Sequence, residues 1–137
     1  MPYSIARHRA GADVEEQLAL LVNALYGAVR TTSPTDRFDY RGLNTVIELK
    51  SRNARYKPTD FSTWLIPVKK IESWLLEKDK ILILLYYWSS TKQLYVHKWS
   101  PNSNYPVKMC WSEQSINYGI PSDHWELLPL DIDRQLS

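Results

Sequence analysis

From Thr45 to Ser51 β-branched and apolar residues dominate, which predicts a strand, and in a strand residues two apart share a face. Ile47 and Leu49 then point one way and Glu48 and Lys50 the other. Arg37 to Arg41 leads into this strand through Gly42-Leu43, a turn that predicts a hairpin pairing Tyr40 with Thr45, Asp39 with Val46 and Phe38 with Ile47. In that register Phe38, Tyr40, Ile47 and Leu49 form one apolar face. Asp39 joins Glu48 and Lys50 on the other, diagonal to Glu48 at roughly 7 Å or less between Cβ atoms. A slip of one residue would carry Asp39 among the apolar side chains, so the hydrophobic pattern itself selects the register.

Val14, Leu18, Leu21, Val22, Leu25 and Val29 recur at helical spacing and predict an amphipathic helix from Asp13 to about Arg30. Asp13 is placed to cap it, with Glu16 three residues on completing a capping box. The apolar arc centres near Leu18, Leu21 and Leu25; Glu15 lies about a quarter-turn from that centre and Glu16 nearly opposite. Met1 to Gly11, with Arg7, His8 and Arg9, reads as an irregular basic arm. Thr31 to Asp36 reads as a loop, and Arg52 to Asp60 as a second one carrying Arg52, Arg55 and Lys57 beside Tyr56. Pro67 suits the first turn of a second helix running to about Lys78, with Val68, Ile71, Trp74 and Leu75 inward and Lys69 and Lys70 on its flanks.

The run Asp79 to Trp88 is almost continuously apolar and predicts a central strand buried on both faces, with Gln93 to Trp99 as its hairpin partner. Pro101 to Pro106 reads as loop, Val107 to Trp111 as a short edge strand, Ser112 to His124 as turn-rich, and Trp125 to Leu130 as a terminal strand or extended cover. The expected class is α/β, a mixed sheet flanked by helices. At 137 residues one domain is expected, with a core over about 11–100 and an aromatic extension over about 101–137.

Composition narrows the picture modestly. A net charge of +2 neither requires nor excludes an anionic partner. The one cysteine, Cys110, excludes an internal disulfide and a cysteine metal cage, which fits a reducing compartment. No apolar run is long enough to span a membrane and no signal peptide is legible, so a soluble intracellular protein is expected. Six Trp and nine Tyr, concentrated after residue 60, suit core and interface packing before base stacking.

The chemistry lies at the first hairpin. Carboxylates held close together resist ionisation unless a cation joins them, and hard divalent ions are their natural partners. Asp39 and Glu48 would be the ligands of Mg²⁺ or Mn²⁺, the Leu49 backbone carbonyl a further oxygen, and Glu15 an outer carboxylate. Lys50 would orient or deprotonate an attacking water and offset developing charge. Arg52, Arg55, Lys57 and Lys70 could contact phosphate. Glu48-Leu49-Lys50 is the chain's one acid-x-lysine triplet, and alone it is near chance frequency; its context of strand, preceding acid and flanking helices gives it weight.

Phe38-Asp39 followed by Ile47-Glu48-Leu49-Lys50, after a helix bearing Glu15, resembles the PD-(D/E)xK nuclease superfamily. Within it the chain is similar to small Holliday-junction resolvases, phage endonuclease-I-type resolvases and small predicted endonucleases of phages and large DNA viruses. Phe38 stands where the motif's proline would be. The resemblance covers residues 11 to 90. It implies a restriction-endonuclease-like core in α-β-β-β-α-β order, catalytic roles for Asp39, Glu48, Lys50 and Glu15, a Mg²⁺ or Mn²⁺ cofactor, DNA as substrate, and a homodimer, since a junction has two strands to cut. A non-catalytic nucleic-acid-binding module on the same fold and a structural or assembly protein are the competing expectations.

Overall fold

The computed structural model describes residues 5–77 and 79–129, with side chains from residue 14 onward. Helix α1 (Ile5–Tyr26) opens it. It starts well before Asp13, so Asp13 lies inside the helix and the expected capping box with Glu16 has no helix start to serve. Ala6, Arg7, Arg9, Ala10 and Ala12 supply helix propensity where apolar periodicity is missing, so the expected irregular arm is helical from Ile5. The side chains of Arg7, His8 and Arg9 lie outside the described residues. At the other end Gly27 adopts a left-handed φ of 63° and donates its N–H to the Asn23 carbonyl at 2.9 Å, which stops the helix at Tyr26 rather than Arg30. Val29 consequently leaves the helical arc for strand β1 (Val29–Arg30), where it is exposed.

Strands β2 (Tyr40–Arg41) and β3 (Thr45–Arg52) form the expected hairpin, two residues from the expected register: Tyr40 pairs with Ile47 and Arg41 with Val46. The Asp39 N–H also reaches the Ile47 carbonyl, at 3.0 Å, so Asp39 and Tyr40 both address one residue of β3. That is the arrangement of a β-bulge, and it breaks the alternation of side chains. Tyr40 packs with Ile47, as expected, but Phe38 falls on the opposite face with Val46. The single apolar face expected for Phe38, Tyr40, Ile47 and Leu49 is thereby corrected.

The chain continues through β4 (Thr63–Pro67), α2 (Val68–Leu75), β5 (Ile81–Trp88), β6 (Gln93–Lys98), β7 (Val107–Cys110), β8 (Ser115–Pro121) and β9 (Glu126–Leu127). A mixed six-stranded sheet has the order β1-β2-β3-β5-β6-β9, and a three-stranded antiparallel sheet the order β4-β8-β7. Among the described residues the fold is thus α/β with a mixed sheet and two α-helices. Within the larger sheet β3 and β5 run parallel over eight residue pairs, Thr45 with Ile81 through Arg52 with Trp88. β5 is the central strand expected, buried from Leu82 to Trp88.

Each face of this sheet is covered. Leu18, Leu21 and Val22 of α1 pack on Tyr40, Ile47, Ile83 and Leu85. On the other face Val46, Leu82, Leu84, Tyr86 and Trp88 meet Trp64, Ile66, Ile71 and Ile120 from β4, α2 and β8. Trp64 is the hub of the aromatic part, with ring centroids of Tyr86, Trp88, Tyr95 and Trp125 between 4.9 and 5.3 Å away. Most of the tryptophan excess is therefore core.

Three further expectations change. β4 occupies a stretch given no element between the loop ending at Asp60 and the helix expected from Pro67, and β8 one read as turn-rich; each strand is completed by the other. α2 ends at Leu75, with Lys78 outside the described residues, and Pro67 closes β4 just before the helix rather than lying within its first turn. Leu75 is 69% exposed, so the inner face of α2 is Ile71, Ser73 and part of Trp74. Among the described residues no helix is long and apolar enough to cross a membrane.

The burial pattern separates two leucines that the sequence treats alike. Leu84→Ala, which empties a fully buried site, should cost about 2–5 kcal/mol, whereas Leu75→Ala should change stability by less than about 0.5 kcal/mol. Urea denaturation of both variants measures the contrast, and a comparable loss from Leu75→Ala would contradict the placement of α2.

Candidate functional site

The bulge at Asp39 turns its carboxylate toward β3, where Asp39 Oδ2 accepts a hydrogen bond from the Leu49 N–H at 2.8 Å. In a strand the N–H and C=O of one residue face the same neighbour. The Leu49 carbonyl therefore leaves β3 on the Asp39 side, two residues past Ile47, the last residue of β3 paired with β2. Glu48, one residue before, projects onto the sheet face covered by α2 and the smaller sheet. Its side chain is 12% exposed. Burial in the first place, and the Asp39 charge beside it in the second, push the Glu48 carboxyl up to about 7, with Lys70 acting in the opposite direction.

Lys70 reaches this pair from the first turn of α2. Its Nζ lies 3.1 Å from Glu48 Oε2, an ion pair whose angle leaves Oε2 without a well-aligned hydrogen bond. The same ammonium donates to the Arg37 carbonyl and lies over the Phe38 ring. A second device fixes the same loop: Arg41 bonds Asp36 Oδ2 at 2.6 Å and Glu77 Oε1 at 2.7 Å, while Asp36 Oδ1 accepts from the Phe38 N–H at 3.0 Å. The Arg41 guanidinium holds the carboxyls of Asp36 and Glu77 below the usual carboxylate range. The segment that delivers Asp39 is thus tied to both ends of α2.

The structure brings Asp39, Glu48 and the Leu49 carbonyl together and sets Lys50 two residues further along the Glu48 face. Lys50 has no ion-pair partner among the described residues. Glu15 is placed differently. It is exposed and paired with Arg30 at 2.8 Å, while Glu16 faces solvent. Glu15 remains in the neighbourhood: the Tyr40 phenol, raised chiefly by burial, feels the charges of both Asp39 and Glu15. Among the described residues no group of three or more His, Cys, Asp or Glu gathers as a metal cluster. The carboxylate donors together are two.

Beyond Lys50 the covered face opens into a cleft of about 750 Å³ between the ends of β3 and β5, β4, and the β7–β8 hairpin. Lys50 and Arg52 line it on one side and Lys108 on the other. The Arg52 guanidinium is stacked 5.0 Å from the Tyr56 ring centroid and 5.2 Å from that of Phe61. Arg55 lies over the outer side of Tyr56 at 5.7 Å, and Lys57 is exposed beyond it, so neither lines the cleft. Lys70, expected to contact phosphate, is engaged with Glu48.

Sequence reasoning missed Arg41 as the clamp and Lys108 as the facing cation. For Lys108 one signal existed. Gly119 interrupts a strand, and a glycine there commonly marks close approach of another group; a Cβ at Gly119 would meet Lys108 Cδ and Cε at 3.1 Å. The lysine stem lies across the bare backbone of β8. Compared with protein-family models, curated proteins and solved structures, the chain matches none.

The position of Glu48 generates a pH dependence. Below about 4.5 both folded and unfolded chains hold its proton; between about 4.5 and 7 only the folded chain does, so its contribution lowers stability as pH rises; above 7 the penalty is complete. The shift corresponds to about 3 kcal/mol. Glu48→Gln should therefore match the parent chain near pH 4.5 and be more stable at pH 8 by up to about that amount, the Lys70 pair being already included in the shift. Denaturant titrations at pH 5, 6, 7 and 8 read the difference, and a gap independent of pH would refute the assignment.

Proposed function

We propose that this chain is a divalent-metal-dependent endonuclease that hydrolyses phosphodiester bonds of branched or structured DNA. The observation that carries the proposal is the convergence of the Asp39 and Glu48 carboxylates at the edge of β3 where the Leu49 carbonyl emerges, with Lys50 next along the same face. Two carboxylates and a backbone carbonyl are hard oxygen donors, and Mg²⁺ is commonly held by one or two carboxylates with waters completing its shell. The donor set fits Mg²⁺ or Mn²⁺. Such an ion, when bound, supplies Lewis-acid neutralisation of phosphate charge and a more acidic water.

The chain's own residues do the rest. Asp39 is held by the Leu49 N–H and Glu48 by Lys70, so both carboxylates are oriented before any ligand arrives. Lys50 extends from the acidic pair into the cleft, where its ammonium can hold the scissile phosphate and orient the attacking water. Arg52 stands one step further along the face to bind the neighbouring phosphate. Glu15 would join as an outer carboxylate by exchanging Arg30 for the site. Leaving out β4, which pairs into the smaller sheet, the elements up to β5 run α1-β1-β2-β3-α2-β5, and this supports the likeness to a restriction-endonuclease core.

A second reading has its own observation. Lys70 already compensates the buried Glu48, as a non-catalytic nucleic-acid-binding module descended from such a site would require. Calorimetric titration with Mn²⁺ separates the two, since the module has no need to hold the ion.

On the leading reading, supercoiled or branched DNA should be cut in the presence of Mg²⁺ or Mn²⁺ and spared in chelator, and Asp39→Ala and Lys50→Ala should each lower the rate by about 10²-fold or more. Equal cleavage by the parent and variant proteins would sink the assignment. A homodimer is the assembly that a two-strand substrate calls for, and light scattering at micromolar concentration should give twice the chain mass; a monomer would remove that part of the proposal.

A further inference from the structure

The cleft beside the acidic pair has dimensions and walls that speak to the form of the strand being cut. Its volume of about 750 Å³ lies in the range of pockets that enclose one small-molecule-sized group. A duplex presents its phosphates on a broad cylinder with paired bases inside, so a protein reads it with an open surface rather than a pocket of this size. Here the cations face each other across a gap. Lys50 and Arg52 stand on the large sheet, Lys108 on the small one, and one carboxylate, Glu113, lies at the hairpin tip.

Between these charges lies a partly apolar, aromatic wall that includes Tyr56, Phe61, Trp64 and Trp88. The Arg52 guanidinium lies in cation–π contact with Tyr56 and Phe61, whose rings are inclined at 59° to each other, so guanidinium and aromatic groups line the cleft together. Guanidinium and aromatic planes of this kind accept an unstacked base of any identity. The opposing wall is built with equal specificity, because the absence of a side chain at Gly119 lets the Lys108 stem lie against β8. On the rim, Trp111 is 82% exposed between Cys110 and Ser112, both of which line the cleft. The indole itself does not line the cleft; it stands at the hairpin tip, one residue from two that do, where a strand leaving the cleft would pass.

We infer that the cleft takes an unpaired DNA strand, one or two nucleotides with base and phosphate together, immediately beside the bond to be cut. This rests on the endonuclease reading and gives it a substrate class: flaps, gaps and single-stranded arms rather than continuous duplex. The backbone would run from the acidic pair past Lys50 and Arg52, with Lys108 closing on it from the smaller sheet.

Fluorescence anisotropy with a labelled 12-nucleotide single strand and with the blunt duplex of the same sequence, in Ca²⁺ to hold off cleavage, tests this directly. The single strand should bind at least tenfold more tightly than the duplex. Three phosphate contacts predict a salt slope of about −2 in log K against log [salt] for a single strand, falling by about 0.7 on loss of one contact. Lys108→Met and Trp111→Ala, both at exposed positions, should weaken single-strand binding about three- to tenfold and leave duplex binding unchanged. Duplex binding as tight as single-strand binding, or indifference to both variants, overturns the inference. The endonuclease reading fails separately: if single-strand binding behaves as stated but no metal-dependent cleavage of a flap substrate occurs, the cleft assignment stands and the catalytic one falls. Equal metal-dependent cleavage of flap and blunt duplex keeps the catalytic assignment and overturns that of the cleft.

Discussion

The parallel ladder between β3 and β5 is the constraint from which the other features follow. Antiparallel strands can be joined by a tight turn, but a parallel pair needs a crossover of a dozen or more residues passing over one face of the sheet. Residues 53–80 make that crossover, and they do not form a simple helical connection. β4 leaves to build a second sheet with β8 and β7, and α2 then returns the chain to the start of β5. The Glu48 face of β3 is thereby roofed, while α1 covers the Ile47 face. A glutamate that would be an ordinary exposed residue on a one-sided sheet becomes a buried acid.

Burial of that acid creates an imbalance that neighbouring charges contain without removing. Lys70 supplies one positive charge to two carboxylates, and its approach to Glu48 is a point contact rather than a bidentate grip. Ion pairs in such places often contribute little net stability, because desolvation offsets attraction. Their contribution here is positional. Lys70 holds Arg37 and Glu48 together, and Arg41 holds Asp36 and Glu77 together, so the loop carrying Asp39 is tied at two points to α2 and the residues just after it.

Much of this is legible in the chain. Apolar continuity identifies β5 as central, and the two-residue period places Glu48 and Lys50 on one side of β3; Asp39 comes beside them through a register two residues from the expected one. What escapes is what depends on partners distant in sequence. Ser115 to Pro121 contains Ser, Asn and Gly, poor strand formers, and is a strand because β4 and β7 flank it. Phe38 lies on the face opposite the expected one because a bulge adds one residue, and a bulge has no signature in a run of alternating side chains. Glu15 has the right helical phase for a site acid; Arg30, set by a strand of only two residues, is the competitor no pattern announces. The cleft is invisible in the sequence for a related reason, since one of its walls comes from β7 and β8.

The distribution of the six tryptophans has a practical corollary in optical spectroscopy. Trp64, Trp88, Trp99 and Trp125 are buried and Trp74 partly so, all five packed in or against the core. Trp111 alone is surrounded by solvent, and it sits on the hairpin tip whose neighbours form the mouth of the cleft. Its emission is the water-relaxed, long-wavelength part of the chain's fluorescence and the part open to a soluble quencher. The molecule therefore carries, without any label, an intrinsic optical probe at the entrance to the basic cleft.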